Sequence, residues 1–281
     1  MSIVITVAPT GPIATKADNA HLPTAPEEIA NDVHAAYQAG AAVAHIHLRD
    51  ANQRPTADLG VARRVMDLIE EKCPILIQMS TGVGLTVPFE EREKLVELRP
   101  RMATLNPCSM SFGEGEFFNP PKGVRRLAAR MRELDVKPEL EIYDSGHLDA
   151  CLRLYEEGLL AEPLQFSIVL GVRGGMAATP DNLMMMVRRL PPGCIWQIIA
   201  IGKANLELTG MALALGGNAR AGLEDCLYLR KGVPAHNVDL VERTAALVKA
   251  LQLPLADVHE TESRLQLPRG TSSGQVIGCA R

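Results

Sequence analysis

Apolar, β-rich runs recur along the chain at regular intervals: Ile3 to Ala8, Ala42 to Leu48, Ile75 to Ser80, Met102 to Leu105, Glu139 to Tyr143, Leu164 to Leu170, Ile195 to Ile201 and Ala219 to Leu223. Between them the hydrophobic period changes from two to about 3.6. Pro26 to Ala39 puts Ile29, Val33, Ala36 and Tyr37 on one helical face, and Val124 to Leu134 does the same with Leu127, Met131 and Leu134. The first helix should begin with proline near its first position and with Glu27 and Glu28 facing the positive end of the dipole, and it should stop at Gly40. The Met184 to Met186 run falls on a helix and reads as core.

Eight strand candidates, each followed by a helix and none joined by a hairpin turn, call for parallel strands with crossover helices. Eight such units favour closure into a single (β/α)8 TIM barrel, and a chain of 281 residues has the usual length for one. No GxGxxG follows the first strand, which weighs against a dinucleotide-binding open sheet. The barrel is expected over 1–267, with 268–281, ending TSSGQVIGCAR, as a flexible C-terminal tail.

Composition narrows the function. Hydrophobic residues at 47% and charged residues at 22% suit a large core, and a net charge of -4 with no basic, aromatic-interleaved stretch excludes a nucleic-acid surface. MSIVITVAPTGP has no basic n-region, and no apolar run approaches the ~20 residues that span a bilayer, so a cytoplasmic protein without a membrane partner is expected. The six cysteines are widely scattered with no CxxC pair, and Cys108 and Cys226, near strand ends, read as buried filler.

In such barrels the site lies at the C-terminal ends of the strands. His45 and His47 close the second strand in AHIHLRD, and a spacing of two turns both imidazoles to one face. Two histidines satisfied by hydrogen bonds are the plain alternative, but this pair at a barrel strand end, followed by Arg49 and Asp50, points to a metal. A catalytic zinc with two histidines takes a carboxylate third, and Glu224 in GGNARAGLED is the candidate, with Gly216 and Gly217 allowing tight backbone beside Arg220 and Asp225. Ser80 ends the third strand, and the loop from Thr81 through Gly82 to Gly84 offers amides for an anionic group or makes an ordinary turn. Thr104 and Asn106 end the fourth strand. Glu139 and Glu141 share a face of the fifth, so at least one should enter the barrel and need a partner. LGVRGGM, with Arg173 among three glycines, would suit close approach to a phosphate or carboxylate.

Taken in order, TGP, HIHLRD, QMSTG, ATLNP, ELEIYDSG, IVLGVRGGM and GGNARAGLED resemble the β-keto acid cleavage enzyme family, whose founding activity is 3-keto-5-aminohexanoate cleavage; the resemblance runs from about Ile3 to Leu267. It implies a zinc TIM barrel, usually tetrameric, that converts a β-keto acid and acetyl-CoA into acetoacetate and a new acyl-CoA. It also implies His45, His47 and Glu224 as zinc ligands, and Arg220 with Asp225 as a dyad in which Asp225 is the base. Ser80, Thr104 and Glu141 fall on positions that hold or orient substrate, with Asn106 and Gly82 expected beside them, and Ser80 available to an oxyanion. Relatives acting on the aminohexanoate carry an acidic residue where this chain has Ile13, so a neutral or apolar substrate tail is expected. Asn218 stands where many relatives have histidine. The competing readings are a metal-dependent lyase, aldolase or hydrolase that needs no acetyl-CoA, and a barrel that binds a small acid without turnover.

Overall fold

The structure is a computed structural model and describes residues 2–267; the expected tail at 268–281 lies outside the described residues. Eight parallel strands form the barrel: β1 (Ile5–Val7), β2 (Val43–Ile46), β3 (Leu76–Met79), β4 (Met102–Leu105), β7 (Lys137–Ile142), β8 (Gln165–Leu170), β9 (Ile195–Ala200) and β10 (Asn218–Ala221). They close in the order β1-β10-β9-β8-β7-β4-β3-β2, with all pairs parallel. Every apolar run of the sequence became one barrel strand, with ends shifted by no more than a few residues.

The crossovers are α1 (Pro26–Gln38), α2 (Leu59–Glu70), the short α3 (Phe89–Arg92), α4 (Pro121–Glu133), α5 (Ser145–Glu156), α6 (Pro180–Arg189) and α7 (Asn205–Ala214), and α8 (Asn237–Ala250) and α9 (Val258–Leu265) follow the last barrel strand. In α1 the Glu28 carboxylate turns back to accept from the amides of Thr24 and Ala25 at 2.8 and 3.1 Å, satisfying donors that the helix leaves open. The outward strand faces and inward helix faces make the core: Ile29, Val33 and Ala36 of α1 meet Ile46 and Met79, and Leu127 and Met131 of α4 meet Leu105 and Ile142. Of the methionine run only Met186 is buried; Met185 is exposed, because an amphipathic helix has one inward stripe.

Hairpins interrupt the strict alternation that the sequence suggested. β5 (Met110–Phe112) and β6 (Gly115–Phe117) pair antiparallel after β4, and β11 (Tyr228–Arg230) pairs with β12 (Val233–Pro234) after β10. Both lie on the side of the barrel where strands end. One glycine of LGVRGGM is required by the first hairpin. Gly174, at φ +108, meets it so closely that a Cβ would stand 2.0 Å from the Ser111 carbonyl oxygen, and the Gly113 amide donates to the Arg173 carbonyl at 2.8 Å. The exposed Arg173 side chain pairs with Glu114. No helix among the described residues is long and apolar enough to cross a membrane.

Candidate active site

The barrel interior is unusually polar. Inward positions carry Thr6, His45, Gln78, Glu139, Gln165, Ser167, Gln197 and Arg220, all nearly or fully buried, where many barrels stack branched apolar side chains. Each must therefore find a partner.

At the mouth, His45 near the end of β2 and His47 just beyond it turn the same way, their ring centroids 5.1 Å apart. Glu224 does not end the eighth barrel strand; it lies in the bend after β10. That bend needs Gly222, at φ +153, where a Cβ would lie 2.1 Å from the Ala8 carbonyl oxygen, whereas Gly216 and Gly217 precede the strand at its other end. The bend is tied to β1, since the Glu224 amide donates to the Ala8 carbonyl at 3.2 Å. Its carboxylate oxygens then lie 3.5 Å from His45 Nε2 and 3.5 Å from His47 Nε2.

One ligand atom from each of the three residues falls within 4.8 Å of the others, and His45 Nε2 and Glu224 Oε2 have no hydrogen-bond partner although buried. Two imidazoles and a carboxylate are the donor set of many catalytic zinc sites, so these residues fit a divalent ion. Burial pushes His45 down to about 3, keeping the imidazole neutral and able to ligate. Burial pushes the Glu224 carboxyl upward, but the Arg220 guanidinium outweighs it and holds the group ionised.

Arg220 organises the rest. Its Nε and Nη2 grip Asp225 at 2.8 and 2.5 Å, Nη2 also reaches Glu224 at 3.0 Å, and Nη1 lies 3.7 Å from Glu141. Burial raises Asp225 to about 6 and Glu141 to about 8, against the pull of Arg220 in both cases. One buried guanidinium thus faces three carboxylates, an imbalance that a divalent cation would redress.

These groups open onto a cavity of about 790 Å³ at the barrel mouth, whose lining includes His47, Ser80, Glu141, Arg220, Glu224 and Asp225. Gly82 is there too, but the loop does not present all the amides the sequence suggested: Thr81 N donates to Thr104 Oγ1 at 3.0 Å and Gly82 N to Ser80 Oγ at 3.2 Å. Thr104 is fully buried behind the wall, spending its hydroxyl and carbonyl on Thr81. Asn106, also behind it, faces Glu141. Asn218 lies away from the cavity, accepting from Val4 N and donating to Trp196 O to tie β1 to β9.

Several site features escaped the sequence reading. The β5–β6 hairpin supplies Phe112 and Phe117 to the cavity wall, and its two-residue Gly113–Glu114 turn was the available signal. Tyr143, buried beyond β7, also lines the cavity. Arg49, in HIHLRD, is buried and donates to the carbonyls of Gly11, Ala14 and Gln53, holding the loop that carries Ile13 over the cavity. Cys226 is buried as expected, but Cys108 is only half-buried.

Comparison with known proteins shows the family to which this chain belongs. The family model described as beta-keto acid cleavage enzyme matches residues 2–267. The chain is 36% identical to a 3-keto-5-aminohexanoate cleavage enzyme of Fusobacterium nucleatum, over 95% of this chain and 98% of that protein. It is 34% identical to a 3-oxoadipate:acetyl-CoA acetyltransferase of Cupriavidus necator, over 94% and 95%. A 3-dehydrocarnitine:acetyl-CoA trimethylamine transferase of Rhizobium meliloti matches at 31% over 95% and 97%. Among solved structures, the ternary complex of ObcA with C4-CoA adduct and oxalate superposes with a TM-score of 0.74 at 20% identity, covering 88% of this chain and 68% of that one, a likeness of fold. With the model matched from one end of the described barrel to the other, this chain belongs to the beta-keto acid cleavage enzyme family.

Proposed function

We propose that this enzyme exchanges acyl groups between a β-keto acid with a neutral tail and acetyl-CoA, giving acetoacetate and the CoA ester of the remaining acyl group. The observation that carries the reading is the convergence of His45, His47 and Glu224 with the Arg220–Asp225 pair at one cavity. A divalent ion held by the first three, zinc by the donor set, would act as a Lewis acid on the keto acid and acidify the carbon between its two carbonyl groups.

Asp225, gripped at both oxygens by Arg220 and facing the cavity, removes the proton from that carbon. The carbanion attacks the acetyl-CoA carbonyl and expels CoA thiolate. Ser80, on the same wall, donates to the oxyanion. The thiolate then attacks the original keto carbonyl, the bond to the central carbon breaks, and Asp225 returns its proton to acetoacetate. Glu141, held near Arg220 and facing Asn106, orients the substrate.

The tail preference is supported by Ile13, Leu85, Phe112, Phe117 and Val172 on the cavity wall. Of the charges on the outer wall, Arg173 is paired with Glu114. The family resemblance extends the proposal to a cytoplasmic homotetramer serving amino-acid breakdown, the assembly being open to light scattering.

The experiment is incubation with acetyl-CoA and β-keto acids of neutral, cationic and anionic tail, followed by mass spectrometry. Acetoacetate with a new CoA ester from the neutral class is the expected result. Preference for a cationic tail sinks the tail assignment, and no product from any class, with metal present, sinks the acetyl-CoA reaction.

A further inference from the structure

Below the metal-ligand cluster, three glutamine amides converge on one oxygen of Glu139. Gln78 Nε2 reaches Glu139 Oε2 at 2.6 Å, and Gln165 Nε2 and Gln197 Nε2 reach the same atom at 3.2 Å each. Gln197 is itself oriented by Thr6, whose hydroxyl donates to its Oε1 at 3.1 Å, and by Ser167, whose Oγ accepts from its Nε2 at 2.9 Å. Glu139 and Gln78 are wholly buried, so water cannot substitute for these bonds.

The pattern decides which way Gln78 faces. An oxygen that meets three amide nitrogens is an acceptor. Gln78 must therefore turn its NH2 toward Glu139 and its Oε1 the other way, to His45 Nδ1 at 2.8 Å. Oε1 can only accept, so Nδ1 carries the hydrogen. The lone pair is left on Nε2, the buried, unpartnered atom that faces Glu224. Were Gln78 reversed, its NH2 would require Nδ1 to accept, and the hydrogen would sit on Nε2, where it blocks ligation.

We infer that Glu139 is a positioning residue for the metal centre, which acts through Gln78 to lock His45 in the tautomer whose Nε2 can bind a divalent ion. The inference rests on the metal reading above, and it gives a buried carboxylate that touches neither cavity nor ligand a role in the reaction. Outer partners of this kind commonly tune metal affinity by ~10–100-fold.

The test uses zinc binding by chelator competition and long-range ¹H–¹⁵N spectra of the zinc-free protein. Gln78→Met removes the acceptor for Nδ1, Glu139→Met removes the acceptor for Gln78, and Glu139→Gln keeps an amide oxygen for the three donors. Zinc affinity should fall ~10–100-fold in each methionine variant, fall no further in the double variant, and stay near wild type in Glu139→Gln. His45 should be Nδ1-protonated in zinc-free wild type and mixed in Gln78→Met. Unchanged affinity in Gln78→Met, additive losses in the double variant, or a Glu139→Gln as weak as Glu139→Met would overturn the relay. If Glu139→Met does not fold, Glu139→Ala takes its place in the cycle, with the same expected fall in zinc affinity and the same outcomes that would overturn the relay. Wild type that takes up no zinc defeats the metal reading, while the His45 tautomer in the zinc-free protein still decides the relay.

Discussion

Strand β7 carries three ionisable side chains on alternate residues, and each solves burial differently. Lys137 at the foot donates to the backbone carbonyl of Pro163 at 2.6 Å and that of Ala161 at 3.4 Å, and burial presses it down to about 8. Glu139 in the middle is surrounded by neutral amides. Glu141 at the mouth faces a guanidinium that two other carboxylates share. In the middle, neutral amides crowd one oxygen of Glu139 and leave single oxygens of Glu139 and Gln165 unpaired, whereas at the mouth His45 Nε2 and Glu224 Oε2 are both orphaned and lie 3.5 Å apart. Chemistry belongs where orphaned atoms face one another.

The hardest blow to the mouth is Glu224→Gln. It should abolish zinc binding, measured by metal analysis after dialysis, and turnover with it; zinc at full occupancy would remove Glu224 from the ligand set. Asp225→Asn should keep the metal and lower kcat by ~10²–10⁴-fold. Wild-type kcat in that variant would move the base elsewhere.

Arg220→Met strips the counter-charge from a buried carboxylate cluster and should cost about 3–5 kcal/mol in urea unfolding. A loss no larger than that of a surface arginine such as Arg64→Met would show that the cluster is not charge-compensated in this way.

At the foot the effect is smaller and depends on pH. The folded pKa of Lys137 lies below its ordinary 10.5, so between about pH 8 and 10.5 the unfolded chain binds more protons and stability rises with pH. Lys137→Met removes this slope. Its advantage over wild type should therefore be greatest near pH 7 and shrink toward pH 10.5 in parallel urea titrations; a constant difference would mean that the lysine is not desolvated.

The sequence exposed what depends on period and local chemistry. Branched apolar runs located all eight barrel strands, and the alternation of side chains on a strand placed His45 beside His47. It hid what depends on approach between distant segments. Nothing local to the segment after β8 reveals that Gly174 must pass close to a hairpin some sixty positions earlier. Thr104 is spoken for by Thr81, and Glu224 reaches the histidines through a bend made by Gly222 against β1. Gln78 and Gln197 each interrupt an apolar strand with one polar residue, and Gln165 opens one that also holds Ser167. That is a readable mark of an inward position, but it says nothing of a common partner.

Arg49 grips the first loop through the main-chain oxygens of Gly11 and Ala14, and leaves Pro12 and Ile13 without any duty in the tether. A peptide carbonyl is much the same whatever side chain it carries. The residue at position 13 can therefore be exchanged, for an acid or a larger apolar group, while the clasp that presents it to the cavity stays intact. The loop works as an interchangeable bit in a fixed chuck.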